Sequence, residues 1–412
     1  MSTAEAQTHH LTFEYPDSFV IEDGAQTQGA DLVLVHPTDA GFRPNLVVTS
    51  VESNAALSDA SLAAMRAALA QHPGAHIVVA DCWISRREDG QEYLAREIVF
   101  TYPAELSDDN GALIVVSKSI WATGTHHVHL TASASMSQWQ AFSPTFNAIA
   151  ASARLAASDE SLAALADPTV PLDIRAASRG LPVEDLAPVI AEWRQLRSAA
   201  PSSEQASLAA ASVTISRNSI ESDAVFARPP LFNISARRGL RAEQLVVYAA
   251  PHGATLVATA PLHDEPLASH DLVRITKVSA ERTPAAIAEW LGLQPAWIFD
   301  DGSTPLSAEQ LEAHVLAPED GGIDSVAPWS QFALVHPHGA LVFALTPDNG
   351  YVQLASQDKK TYATQPFASS NVFRALVQFC RLHFETASSA PATPHPRRPW
   401  RFGNRGDRGD RN

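Results

Sequence analysis

The sequence predicts an α+β protein in two folded units, and three observations carry that prediction. Short alternating and β-branched runs between residues 10 and 155, separated by turn residues, describe an antiparallel sheet. Amphipathic stretches at helical spacing interrupt and close those runs. Beyond residue 207, Pro251-His252-Gly253-Ala254-Thr255-Leu256-Val257-Ala258 recurs as Pro337-His338-Gly339-Ala340-Leu341-Val342-Phe343-Ala344, and an amphipathic helix follows each copy. The second unit is therefore expected to be a pseudo-twofold α/β domain built from two sheet-plus-helix halves. One hairpin with one helix buries too little apolar surface to stand alone, so each copy needs its twin.

In the first unit, Leu11 to Pro16 alternates like a strand entering a turn, and residues 31–36 and 45–51 follow as short strands between Pro and Gly. Ser58-Asp59 is read as the cap of a helix carrying Leu62, Met65 and Leu69, ended by His72-Pro73-Gly74. Four further runs, 75–84, 93–100, 112–121 and 127–133, form a meander in which Glu88-Asp89-Gly90 is the clearest turn. A helix from Ser137 through Leu155, with Trp139, Phe142, Phe146 and Ile149 on one face, closes the unit. Strands, helix, meander and helix in that order give helices packed on an antiparallel sheet.

Three features of this stretch resemble the LpqN/LpqT family of actinobacterial proteins. They are the Tyr15-Pro16 strand exit with Phe19, the strand Phe42-Arg43-Pro44-Asn45-Leu46-Val47-Val48, and the helix start Gln138-Trp139 after a Thr/Ser-rich strand. The resemblance implies a PsbP-like fold for residues 10–155. Members of that family are often lipoproteins, whereas this sequence shows neither a signal peptide nor a lipobox cysteine, so an envelope location is not carried over.

Residues 156–206 are rich in Ala, Ser and Pro and are read as a linker with one helix from Val183 to Ala199, carrying Leu186, Ile190, Trp193 and Leu196. Limited proteolysis is expected to cut there. In residues 207–385, Leu245-Tyr248 and Ala254-Ala258 form a hairpin across Pro251-His252-Gly253, residues 272–278 add a strand, and Thr283 to Leu293 is a helix with Pro284 in its first turn. The second copy sets Phe332-Val335 against Ala340-Ala344 across Pro337-His338-Gly339, extends with Tyr351-Ala355, and ends in a helix from Ser369 to Phe384 with Phe373, Leu376, Val377 and Cys380. Gly253 and Gly339 are expected in equivalent turns, at positions too crowded or too twisted for a side chain. Residues 386–412 carry Ala, Ser, Pro and Arg and are expected to be disordered.

The strand-to-helix run 272–293, the strand pairs across the glycines, and Trp329 with Gly350-Tyr351 and the terminal helix resemble the EspG family. These are cytosolic proteins associated with ESX (type VII) secretion in actinobacteria. The chain departs from that family where Ser212-Val213-Thr214-Ile215-Ser216 and Arg228-Pro229-Pro230 stand in place of an opening helix and a strongly charged first strand.

Composition narrows the function classes. A chain of 412 residues is longer than one core usually serves. A net charge of -16 argues against nucleic acid as a partner, because a phosphate backbone calls for clustered Lys and Arg. No basic and apolar leader opens residues 1–10, and no apolar run approaches the roughly 18 residues of a spanning helix, so a cytoplasmic protein without a transmembrane segment is expected. Cys82 and Cys380 read as buried thiols.

The sequence assigns no catalytic, cofactor-binding or metal-ligating residue. His126, His127 and His129 could share a strand face as a chelate, but no acidic or thiol partner is placed with them. His252 and His338 read as turn residues, and Ser117-Lys118-Ser119 falls inside a strand. No nucleophile elbow or phosphate-cradling glycine loop occurs. The pairs Asp108-Asp109, Asp300-Asp301 and Glu319-Asp320, with Asp320-Gly321-Gly322, read as turns, and the two Arg-Gly-Asp tripeptides at 405–410 as tail. The two resemblances imply a non-enzymatic, cytoplasmic chaperone or adaptor for an α-helical type VII secretion substrate, without a cofactor. Two other classes stay open: a small-molecule or lipid-binding protein using a cleft between sheet and helices, and an enzyme of unknown class.

Overall fold

The structure is a computed structural model that describes residues 2–23, 29–38, 41–87, 92–104, 112–156, 192, 195–196, 212–217, 229–250, 253–280, 282–296, 305–317, 328–336, 339–347, 350–356, 360–367 and 369–389. It is of the α+β class, with two ten-stranded sheets and helices packed on them.

The first sheet contains β1 (Thr3–Gln7), β2 (Leu11–Pro16), β3 (Val20–Ile21), β4 (Leu32–Val35), β5 (Asn45–Glu52), β6 (His76–Arg87), β7 (Glu92–Ala104), β8 (Ala112–Ala122), β9 (His126–Ser135) and β10 (Arg154–Leu155). Helices α1 (Leu57–Gln71) and α2 (Met136–Ser152) complete it. The strand order is β1-β2-β10-β6-β7-β8-β9-β5-β4-β3, antiparallel except for the short β10–β6 pair. Two of the sequence features that suggested this fold touch each other. The Gln138 side chain donates to the Phe42 carbonyl at 3.0 Å, and its Oε1 accepts from the Ser135 amide, fixing the start of α2 against the β5 approach.

Three boundaries differ from expectation. The sheet begins at Thr3, because β1 pairs along its whole length with β2. Helix α1 is capped at Ala56, leaving Asp59 in the first turn, where a carboxylate suits the helix dipole. Helix α2 stops at Ser152, and the last two residues of the expected helix form β10. The fully buried Leu155 fills the seam there, where β10 pairs with β2 on one side and β6 on the other.

The second sheet contains β11 (Ser212–Ser216), β12 (Phe232–Arg238), β13 (Arg241–Ala250), β14 (Gly253–Ala258), β15 (Leu272–Ser279), β16 (Leu306–Ser307), β17 (Ser330–His336), β18 (Gly339–Leu345), β19 (Tyr351–Ser356) and β20 (Thr361–Pro366). Its helices are α3 (Thr283–Leu291), α4 (Ala308–Leu316) and α5 (Ser369–Ser389). The order is β11-β15-β14-β13-β12-β17-β18-β19-β20-β16. From the central β12–β17 pair outward, each side is a four-stranded meander ending in a helix, with the strand that precedes it in sequence added at the edge. The same wiring occurs in the first sheet, where β5 precedes the meander β6-β7-β8-β9, pairs with its last strand, and α2 follows.

This wiring corrects the register of the internal repeat. The hairpin closed by the Ala250–Gly253 pair joins the second and third strands of its meander, whereas the one closed by His336–Gly339 joins the first and second. The two copies are both tight hairpins but not equivalent ones. The turn matching His336–Gly339 is Arg238–Arg241, whose sequence carries no Pro-His-Gly. Pro251, His252, Pro337 and His338 themselves lie outside the described residues, as do most of the expected helix 183–199 and the tail from residue 390. Helix α5 runs to Ser389, past the expected start of that tail.

Candidate functional site

Alternation along β7 sets two neighbouring charges on opposite faces of the first sheet. Ile98 and Phe100 share the face of Arg96 and pack under α1, while Glu97 and Val99 face α2 and the second sheet. The apolar residues on that second face do not form a closed core of their own. Val78, Val79, Val99, Leu113, Val115 and Met136 belong to one cluster with Phe232, Leu256, Trp290, Phe343, Phe373 and Leu376 of the second unit. Two polar contacts cross the same joint: the half-buried His76 donates from Nε2 to the Leu293 carbonyl at 2.8 Å, and Arg381 donates to Gln140 at 3.2 Å.

A pocket of about 50 Å³ lies in this joint, lined by Val78, Val79, Glu97, Trp139, Phe373 and Arg374, among others. Glu97 is 8% exposed, and the hydroxyl of Ser117 donates to its Oε1 at 3.2 Å. Burial pushes the carboxyl up to about 7, against the smaller opposing effect of the Ser117 bond. Burial likewise lowers His76 below the usual imidazole value, although its bond to Leu293 opposes this. The site is thus a small, mostly apolar joint holding a carboxyl that resists ionisation and an imidazole that resists protonation.

On the opposite face, Arg96 forms an ion pair with Glu192 at 3.0 Å. Leu196 packs beside it into the cluster of Met65, Ile98 and Ile120. Burial raises the Glu192 carboxyl, and the Arg96 guanidinium opposes that rise.

The three histidines of β9 do not converge. His126 packs against His10 with tilted rings, centroids 4.4 Å apart, His127 donates to the Ala55 carbonyl at 2.9 Å, and His129 lies in the field of Lys118. Burial first, then Lys118 and His127, push His129 down to about 4. A neighbouring ammonium repels a cation, and no group of three metal-binding side chains occurs among the described residues. Ser117 and Lys118 face opposite sides of β8, as the strand period requires. Asp108, Asp109, Asp300, Asp301, Glu319, Asp320 and the Arg-Gly-Asp tripeptides lie outside the described residues. Cys82 and Cys380 are buried free thiols, and burial pushes the Cys380 thiol up.

In the second unit, a pocket of about 50 Å³ gathers Asp264, Arg274, His263, Glu289 and Trp290 at the α3 side of the sheet. Asp264 and Arg274 already approach each other at 3.5 Å. A different feature marks the opposite face. Val335, on the central strand β17, is 49% exposed, and its cross-strand neighbours Asn233 and Ala340 are exposed with it. Helix α4 lies on the same face, packing Leu311 and Val315 against Ala344 and Leu354 and reaching the Arg237 end of β12 through an Arg237–Glu312 ion pair at 3.0 Å. The result is a small exposed patch in mid-sheet, Val335 and Ala340 with the polar Asn233 beside them.

No helix among the described residues is long and apolar enough to cross a membrane. No protein-family model matches the chain, and no curated protein matches it. Part of the chain is similar in structure to CyanoP, the cyanobacterial PsbP of Synechocystis sp. PCC 6803, with 19% identity over 37% of this chain and 92% of that one and a TM-score of 0.27. It is also similar to the Ran-binding protein Mog1p of Saccharomyces cerevisiae, with 11% identity, 38% and 96% coverage and a TM-score of 0.27. A third similar structure is LpqN of Mycobacterium tuberculosis, a protein involved in cell envelope biogenesis, with 14% identity, 37% and 90% coverage and a TM-score of 0.27.

Proposed function

We propose that the chain is a non-enzymatic protein-binding module, a cytoplasmic chaperone or adaptor for an α-helical substrate of type VII (ESX) secretion. In this reading an LpqN/LpqT-like unit is joined to an EspG-like unit whose two halves are related by a pseudo-twofold through the β12–β17 pair. The observation that carries it is the mid-sheet patch around Val335. A half-exposed valine on a central strand, flanked by Asn233 and Ala340, would give an apolar helix a contact point on the sheet face. Apolar contact there would supply affinity, and the acidic balance of the chain would supply selectivity.

Neither of the two pockets found among the described residues is of ligand size. Sites that enclose small organic ligands are roughly 300 Å³ or more, whereas each pocket described here, at about 50 Å³, holds a water or two. The test is co-purification of the full chain from its native cytosol with mass-spectrometric identification of what is bound. Near-stoichiometric recovery of a helical secretion substrate supports the proposal. Recovery of a small molecule or lipid without a protein, or substrate turnover lost on changing one polar residue, overturns it.

A further inference from the structure

We propose that the α1 side of the first sheet is a docking groove for an acidic amphipathic helix, and that the chain's own residues 192–196 are its resident, exchangeable occupant. The strand register sets the floor of the groove. Arg96 on β7 lies between Cys82 on β6 and Ile120 on β8, Lys118 is its diagonal neighbour on β8, and His129 on β9 sits opposite Ile120. Three basic side chains therefore share one face of a chain whose net charge is -16. Helix α1 forms the wall, with Leu62 and Met65 turned inward.

The segment that fills this groove satisfies it only in part. Glu192 meets Arg96 through Nη2 alone, and Leu196, one helical turn on, packs into the apolar cluster beside it. Nε and Nη1 of Arg96 and Nε2 of His129 are buried without a hydrogen-bond partner among the described residues. Burial lowers the Lys118 ammonium, with no carboxylate opposing it. A guanidinium held by one contact leaves unused the paired geometry it offers a carboxylate.

Desolvating two charges for a single hydrogen bond makes a tie that is specific but weak. Asp59, in the first turn of α1, adds a like charge that works against Glu192. The segment holds its place because the chain tethers it at both ends, between β10 and β11, which gives it a high effective concentration. A helix from another protein lacks that tether and must make the better contacts. Its chemistry follows from the floor: a carboxylate set square on Arg96, a leucine four residues later, and a second acidic group reaching Lys118. The groove belongs to the first unit and is independent of the patch around Val335.

A fluorescently labelled synthetic peptide of residues 183–199, titrated against the full chain by fluorescence polarisation, tests the exchange. The wild-type chain, its groove filled in cis, is expected to bind the peptide roughly tenfold or more weakly than the Leu196→Asp chain, whose own segment is released. Glu192→Gln in the peptide is expected to lower its affinity for the Leu196→Asp chain about tenfold, because an amide cannot pair with Arg96 as a carboxylate does. These peptide changes leave the folding of the chain untouched. Equal affinity of the wild-type and Leu196→Asp chains for the peptide overturns the proposal, as does equal affinity of the two peptides for Leu196→Asp. Loss of the first unit's cooperative unfolding in Leu196→Asp also overturns it, since the segment would then be part of the core rather than an occupant.

Discussion

Arg96 and Glu192 meet at 3.0 Å with side chains only 4% and 6% exposed, so a residue 96 positions away is fixed to the middle of β7 through a buried ion pair. The pair is made through Nη2, and Nε and Nη1 of Arg96 make no hydrogen bond among the described residues. Removing one partner of such a pair strands a charge. Arg96→Ala or Glu192→Ala is expected to destabilise the first unit by about 3 kcal/mol, while the double change Arg96→Met with Glu192→Leu recovers most of that loss. Urea unfolding of the wild type and the three variants checks this, and a double mutant as unstable as the worse single one would contradict it.

His129 carries a pH dependence of its own. Its imidazole is held down to about 4 by burial and by Lys118, so the folded protein resists a proton that the unfolded chain accepts at 6.5. Its contribution is complete above pH 6.5 and is lost as pH falls toward 4, a swing on the order of 3 kcal/mol at about 1.4 kcal/mol per unit. His129→Gln is expected to flatten the wild-type stability profile between pH 4 and 6.5, measured by thermal unfolding, and to leave its slope above pH 7 unchanged.

The two glycines of the recurring motif behave differently. A Cβ on Gly253 would stand 2.1 Å from the Val278 carbonyl oxygen and 2.7 Å from the Ser279 Cα, both backbone atoms of the neighbouring β15, whereas a Cβ on Gly339 meets nothing within 4 Å. Gly253→Ala is expected to cost about 1–3 kcal/mol through forced separation of two strands. Gly339→Ala is expected to be neutral or stabilising by about 0.5 kcal/mol. Equal effects in denaturant melts would mean that the two hairpins are packed alike.

That asymmetry shows where the sequence is legible and where it is not. Apolar, β-branched runs such as 112–121 and 272–278, and helices with Phe146 or Leu376 on the inner face, are local patterns, and the strands and helices match them. The register of the repeat is not local. Pro-His-Gly marks a tight hairpin wherever one is needed, so its two copies align with each other in sequence while sitting one hairpin apart in the fold. Strand β12, whose residues pair with β17 to join the halves, has no marked counterpart in the motif.

The joint was hidden for a similar reason. Arg96-Glu97 reads in sequence as an ion-pair-prone couple in a strand, and only the tertiary arrangement shows that each residue is buried on a different face. The contact of His76 with Leu293 spans 217 positions. The one available signal was two adjacent opposite charges inside an otherwise apolar run, which a half-exposed strand does not require.

The central claim is that the mid-sheet patch on the second unit seats a helical partner protein. The most direct measurement is side-by-side capture by the wild-type chain and Val335→Arg from the same native cytosol, with folding of both confirmed by circular dichroism. Because Val335 is 49% exposed on the face away from α3 and α5, the substitution is expected to leave the fold intact. The wild-type chain is expected to retain a helical substrate at near-stoichiometric level, still bound at moderate salt, with recovery by Val335→Arg lower by tenfold or more. Equal recovery by both proteins, or recovery of no such substrate by either, would contradict the claim.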